Sequence, residues 1–232
     1  MDDTMDAISD IVSIEKDEAA CKTLSIRKVF HLIKNNKNFS HINYLDLIKD
    51  KSGLEILLND PKNSKLKKMV ESSIWNHELG TQDISNTCTE IRRRLKNQGW
   101  QEDNDGDHLI LIGGPPCQAY SLAGRSRRSK MHKSGEYKPE LDQRNFLYEK
   151  YLDLVLELKP SIFIMENVPG MLSSKINGKP IFSKVLKDLS NPSNLKKESS
   201  LKYNLFPLVN KKEDLVFKDS DFKITTEEFG VP

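Results

Sequence analysis

The sequence has no hydrophobic stretch near the ~20 residues that a membrane-spanning helix requires. Acidic Asp2, Asp3 and Asp6 stand where a secretory leader would be basic. No membrane partner is expected, and a cytoplasmic location is. Bulk charge is missing too: 36 lysines and arginines face 34 aspartates and glutamates, a net +2. Affinity for a polyanion therefore has to come from local clustering. Cysteine is scarce. Cys21, Cys88 and Cys117 lie far apart, show no C-x-x-C spacing and, being three, cannot all pair. That favours free thiols in a reducing compartment, one of them a candidate for reactivity. No internal repeat is visible. What is there is a chain of 232 residues, 37% hydrophobic and 30% charged, an ordinary balance for a globular domain with one good-sized core.

Short apolar runs alternate with helical patterns along the chain. Ile8, Ile11, Val12 and Ile14 predict a strand, followed by a helix from about Asp17 through Leu24 to Leu32. Ile42 to Ile48 reads as a second strand. Leu66, Met69, Val70 and Ile74 then recur at helical spacing, and Ile84 to Leu95 repeats the pattern with added arginines. Segment 49–107 is thus expected to be a helical insertion between strands. Leu109-Ile110-Leu111-Ile112, closed by Gly113 and Gly114, fits a strand buried on both faces of a parallel sheet. Segment 113–140, rich in Gly, Ser, Arg and Lys, reads as a mobile loop. A helix from about Gln143 to Leu158 stops at Lys159-Pro160, and Ile162 to Met165 forms another buried strand. The stretch from Asn191 onward is lysine-rich and less regular, with a weak strand signal near Phe222 and Ile224. This alternation predicts an α/β fold with a mainly parallel sheet. The expected division is one region over 1–190 and another over 191–232.

Two strand ends carry the chemistry. Gly113-Gly114-Pro115-Pro116-Cys117-Gln118 directly follows a predicted strand, and α/β sheets place ligands at the carboxyl ends of their strands. The glycines permit a tight, closely approached backbone, and the prolines stiffen the segment that carries the thiol. An isolated Pro-Cys is more often a buried small hydrophobe. Here the cysteine sits in a Gly/Pro hinge beside polar Gln118 and Ser121. Met165-Glu166-Asn167-Val168-Pro169 ends the second strand. A Glu-Asn alone is more often a turn or helix cap. Together the two ends offer a thiol and a carboxyl, the constellation for nucleophilic attack assisted by an acid.

Gly-Gly-Pro-Pro-Cys-Gln, with Glu166-Asn167-Val168 starting 49 residues after Cys117, resembles the catalytic pair of motifs of the DNA cytosine-5 methyltransferases. Ser13-Ile14-Glu15-Lys16-Asp17 is similar to the strand end whose acid binds the ribose of S-adenosylmethionine, which implies that role for Glu15. Asp142-Gln143-Arg144-Asn145-Phe146-Leu147 resembles the family's Asp-x-Arg-x-x-Leu, whose leucine touches the cofactor adenine. The likeness covers about 8–175, apart from the insertion. It implies a Rossmann-like S-adenosylmethionine-dependent methyltransferase sheet, incomplete at both ends. Cys117 would add to C6 of cytosine while Glu166, with Asn167 beside it, holds ring N3 and the exocyclic amine. Pro115 and Asn43 are further candidates for the cofactor side, and Gln118, Ser121, Arg125 and Arg127 for contact with DNA, with Arg128, Lys130 and Lys133 close by in sequence.

Against the family pattern, the glycine-rich turn Phe-x-Gly-x-Gly is not found ahead of Glu15. The aspartate of the third cofactor motif is matched by Asn43, with Asp46 three residues on. Phe229-Gly230-Val231-Pro232 resembles the lead-in to a Gln-x-Arg-x-Arg strand that does not follow. The expectation is therefore a fragment or subunit of a restriction-modification type DNA cytosine-5 methyltransferase. It would act on DNA with a complementary polypeptide and bind S-adenosylmethionine weakly by itself. Two alternatives stand: an inactive remnant or complementation partner of a split enzyme, and a tRNA cytosine-5 methyltransferase. The residues after Cys117, Ala119-Tyr120-Ser121-Leu122-Ala123-Gly124-Arg125, look more like the DNA enzymes.

Overall fold

The computed structural model describes residues 12–35, 37–39, 41–49, 52–102, 108–115, 147–176, 178–194, 200–209 and 216–230. The chain divides into two compact units, Met1–Asp107 and His108–Pro232. It is a mixed α/β protein with short parallel strand pairs.

In the first unit β1 (Ser13–Glu15) leads into α1 (Glu18–Asn35). Asp17 starts that helix: its Oδ1 accepts the Ala20 amide at 2.8 Å, satisfying one of the amides a helix leaves open at its N-terminus. Then come α2 (Tyr44–Lys49), α3 (Gly53–Asn59), α4 (Ser64–Ser73), β2 (Ile74–Asn76) and α5 (Ile84–Asn97). The core joins Val29, Phe39, Ile42, Leu47, Leu54, Leu66 and Val70.

Two expectations fail in this unit. Ile42 to Ile48 is not a strand. Asn43 Oδ1 accepts the Leu45 amide at 3.1 Å and starts α2, and a capping side chain followed by a leucine-rich run favours the helix. The strand beside β1 is β2, parallel in the register Ser13↔Ile74, Ile14↔Trp75, Glu15↔Asn76. It lies within the segment expected to be helical. β2 has three residues and continues α4 without a turn, so no local punctuation marks it. On α5, Thr87, Cys88, Ile91 and Leu95 form the buried stripe. Arg94 Nη1 reaches the Glu71 and Ser72 carbonyls near the end of α4 at 3.1 and 3.3 Å.

In the second unit β3 (Ile110–Gly113) and β4 (Ile162–Met165) are parallel, from Ile110↔Ile162 to Gly113↔Met165. Between them in sequence is α6 (Leu147–Leu158). Its residues Tyr148, Tyr151, Leu152 and Val155 form one helical stripe packed with Ile181, Phe182, Val185 and Leu189 of α8 (Ile181–Ser190). A short turn of helix, α7 (Gly170–Ser173), and a small antiparallel pair, β5 (Lys175–Ile176) with β6 (Lys179–Pro180), lead into α8. Tyr148 donates to Asp188 Oδ2 at 2.9 Å and Lys184 bonds both, tying α6 to α8.

The two strands were expected to be buried on both faces. Instead Ile112 is 66% and Ile162 54% exposed, because α6 and α8 supply packing to one side only within this unit. The strand signal near Phe222 also fails: Asp219–Phe222 is a 3-10 turn whose Phe222 ring packs edge-on against Phe182 at 5.4 Å. No described helix is long and apolar enough to cross a membrane.

Candidate active site

β3 and β4 run in the same direction, so their carboxyl ends meet. The ladder continues one step beyond the strands, where the Glu166 amide donates to the Gly113 carbonyl at 3.1 Å. Two residues with no side chain make room there. A Cβ on Gly114 would overlap Glu166 Oε1 and lie 2.6 Å from its Cδ, so the Glu166 carboxylate rests against the Gly114 backbone. A Cβ on Gly113 would lie 3.2 Å from Cε2 of Tyr151, whose ring fills the space below. Glu166 itself is exposed.

Asn167 acts as a clip. Its Nδ2 donates to the carbonyl of buried Pro115 at 3.2 Å, while its Oδ1 accepts the Val168 amide at 2.9 Å. Both faces of the amide are thereby used, and the turn after β4 is tied to the loop after β3. Gly114, Pro115, Glu166 and Asn167 are therefore brought together. Cys117, Gln118, Ser121, Arg125 and Arg127 lie outside the described residues, as does the predicted loop beyond Pro115. Leu147 opens α6.

Reading residue by residue missed Tyr151, which falls in a helical stripe like any core aromatic. Its hydroxyl lies 3.0 Å from the Ile164 carbonyl and 3.3 Å from that of Leu111. Burial, and then the neighbouring Tyr203, push its phenol above the usual tyrosine range.

In the first unit Glu15 ends β1 half-buried. Its Oε1 accepts the Asp17 amide at 2.9 Å, and its carbonyl accepts the His77 amide at 3.0 Å. Asn76, from the neighbouring strand, donates to the Lys16 carbonyl at 3.2 Å. A carboxylate held at the end of a parallel strand by a turn amide suits a pair of sugar hydroxyls. Asn43 is exposed and occupied with starting α2. No described group of His, Cys, Asp and Glu could hold a metal ion. A cavity of about 250 Å³ in the second unit is lined by Phe217, Asp221, Lys223 and Phe229 among others, and by none of these site residues.

The family model for C-5 cytosine-specific DNA methylases matches residues 39–193. The chain is similar to the type II methyltransferase M.Bpa9945I of Bacillus paralicheniformis, 32% identical over 172 residues, 70% of this chain and 36% of the relative. It is similar also to M.NgoPII of Neisseria gonorrhoeae, 31% identical over 140 residues, 60% of this chain and 34% of the relative. M.AquIA of Picosynechococcus is 42% identical over 64 residues, 28% of this chain and 21% of the relative. The chain thus spans about a third of the length of the first two. No solved structure matches it.

Proposed function

We propose, since this chain belongs to the C-5 cytosine-specific DNA methylase family, that it carries the reacting half of a DNA cytosine-5 methyltransferase with Cys117 as nucleophile. The observation that carries the reading is the seating of the Glu166 carboxylate on Gly114, three residues before Cys117. In this reading the Cys117 thiolate adds to C6 of a cytosine turned out of the duplex, since a stacked base is out of reach. Glu166 holds ring N3 and the exocyclic amine and stabilises the charge that shifts as sulfur adds. Asn167 fixes the Pro115 carbonyl, and with it the approach to Cys117. S-adenosylmethionine, when bound, supplies the methyl group. Loss of the C5 proton and departure of the thiolate restore the aromatic ring.

The proposed cofactor fold is the Rossmann-like parallel sheet, with Glu15 on the ribose hydroxyls and Leu147 and Pro115 as further cofactor contacts. The strand paired with β1 is β2. Asn43 is the further candidate for the cofactor side that the motif likeness named. Gln118, Ser121, Arg125 and Arg127 are assigned to DNA. The charge of Arg125 and Arg127 would favour the phosphates and the thiolate, since a free cysteine is only a few per cent ionised at neutral pH with a pKa of ~8.5.

The test is covalent trapping. The chain, co-expressed with the polypeptides encoded beside it, is incubated with S-adenosylmethionine and a duplex carrying 5-fluorocytosine. Fluorine at C5 blocks the final elimination, so a complex stable to denaturing electrophoresis is expected. It should vanish in Cys117→Ala. An adduct that persists in that variant would assign the chemistry to another thiol, and methylation of tRNA instead of DNA would favour the RNA enzyme.

A further inference from the structure

Tyr151 touches both strand ends of the site, and nothing in the proposed chemistry uses it. Its ring lies under Gly113. Its hydroxyl sits between the carbonyls of Leu111 and Ile164, each two residues before a site residue, Gly113 on one strand and Glu166 on the other. A phenol has a single hydrogen to share between these two acceptors, so the same group braces both strands. The two glycines of the motif thus serve different neighbours: Gly113 leaves room for the Tyr151 ring and Gly114 for the Glu166 carboxylate. We infer that Tyr151 is a positioning residue of the site, holding the carboxyl ends of β3 and β4 at the spacing that lets Glu166 seat on Gly114. The inference rests on the proposed methyltransferase reading only for what the seat is used for.

The same strand pair contains its own control. Tyr203 also donates a phenol to a backbone carbonyl, that of Pro160 at 2.7 Å, and stacks edge-on against Phe163 at 4.8 Å. That bond lies at the other end of the ladder, where the Ser161 amide donates to the Leu109 carbonyl at 2.9 Å. Both phenols are raised by burial. A merely structural tyrosine should loosen the unit as a whole when its hydroxyl is removed. A positioning tyrosine should loosen one end.

The experiment is amide hydrogen exchange by NMR on residues 1–232, comparing the parent chain with Tyr151→Phe and Tyr203→Phe. Tyr151→Phe keeps the ring and loses the brace. Exchange of the Glu166 amide should rise about tenfold, the size expected for one net hydrogen bond, with its chemical shift moved, while the Ser161 amide stays as it was. Tyr203→Phe should do the reverse. Equal acceleration at both ends in Tyr151→Phe, or none at Glu166, overturns the inference. Should Tyr151→Phe fail to fold, 3-fluorotyrosine at position 151 tests the same point from the other side. Its more acidic hydroxyl is a stronger donor and should slow Glu166 exchange, and an unchanged or faster rate would be fatal to the idea. Absence of the 5-fluorocytosine adduct in the unmodified protein would refute the functional reading while leaving this measurement able to decide on Tyr151.

Discussion

The two units each hold a pair of parallel strands, and each pair has a glutamate at the end of one strand or one residue past it, yet the glutamates are held by different means. Glu15 is fixed by its own turn: the Asp17 amide binds its carboxylate, and Asp17 in turn starts α1. Every partner of its carboxylate in that arrangement lies within two residues. Glu166 is fixed by a segment some fifty residues earlier in the chain, through the bare backbone of Gly114 and the ladder bond to Gly113. Asn167 closes the same gap at Pro115. Both strand ends are carried by distant ladder bonds, Glu15 through the His77 amide and Glu166 through Gly113. What differs is the carboxylate, which a local amide holds at Glu15 and a distant backbone seats at Glu166.

The largest effect is expected where distance matters most. Gly114→Ala puts a methyl group where the Glu166 carboxylate lies. The atoms met are the far end of an exposed, flexible side chain, so the carboxylate can swing aside at little cost in stability, but a reacting group displaced by ~1 Å can lose ~100-fold in rate. The 5-fluorocytosine adduct should report the loss, with little change in thermal unfolding. A variant that traps the base at the parent rate would mean that Glu166 has no need of this seat.

Asp17→Ala makes the matching break in the first unit. Removing the cap of α1 should cost about 1 kcal/mol, with faster amide exchange confined to the first turn of the helix, at Ala20 and Cys21. If the strand end at Glu15 instead loosened through β2, the contrast between local and distant construction would be wrong.

The smallest effect comes from the surface of α5. There Glu90 meets Arg93 at 2.6 Å and Arg94 at 2.7 Å. The hydrogen bond from Arg93, and then that from Arg94, outweigh burial and bring the Glu90 carboxyl down from 4.5 to about 2. Because the folded value is depressed, the pair contributes stability that is fully present above pH ~4.5 and is lost as pH falls toward about 2. Glu90→Gln should therefore lower stability by only about 0.3–0.5 kcal/mol at neutral pH, as for an exposed helix pair. The difference from the parent, followed by urea unfolding, should shrink toward zero across that acid window. A difference that holds constant down to pH 2 would remove the ion pair as its cause.

The linear sequence by itself determined whatever rests on near neighbours. The helical stripes of α1, α5 and α6, the stop at Lys159-Pro160, β4 and most of β3 follow from periodicity and from residues within a turn of one another. So does the presence of a carboxylate at two strand ends. Tertiary structure alone decided which segment pairs with β1. Ile42 to Ile48 and Ile74 to Asn76 are both short and apolar. Asn43 commits the first to a helix, while the second is brought alongside β1 by its attachment to α4, whose Leu66 and Val70 share a core with Val29 of α1. Tertiary structure likewise decided that Gly113 and Gly114 are glycines for two different neighbours, and that Tyr151 braces the strands instead of only filling space. These are contacts between residues 13 to 61 positions apart. Periodicity reports which side of an element is apolar. It does not report which distant backbone will come to rest against it, because that depends on the fit of a whole core and not on the preference of any one stretch.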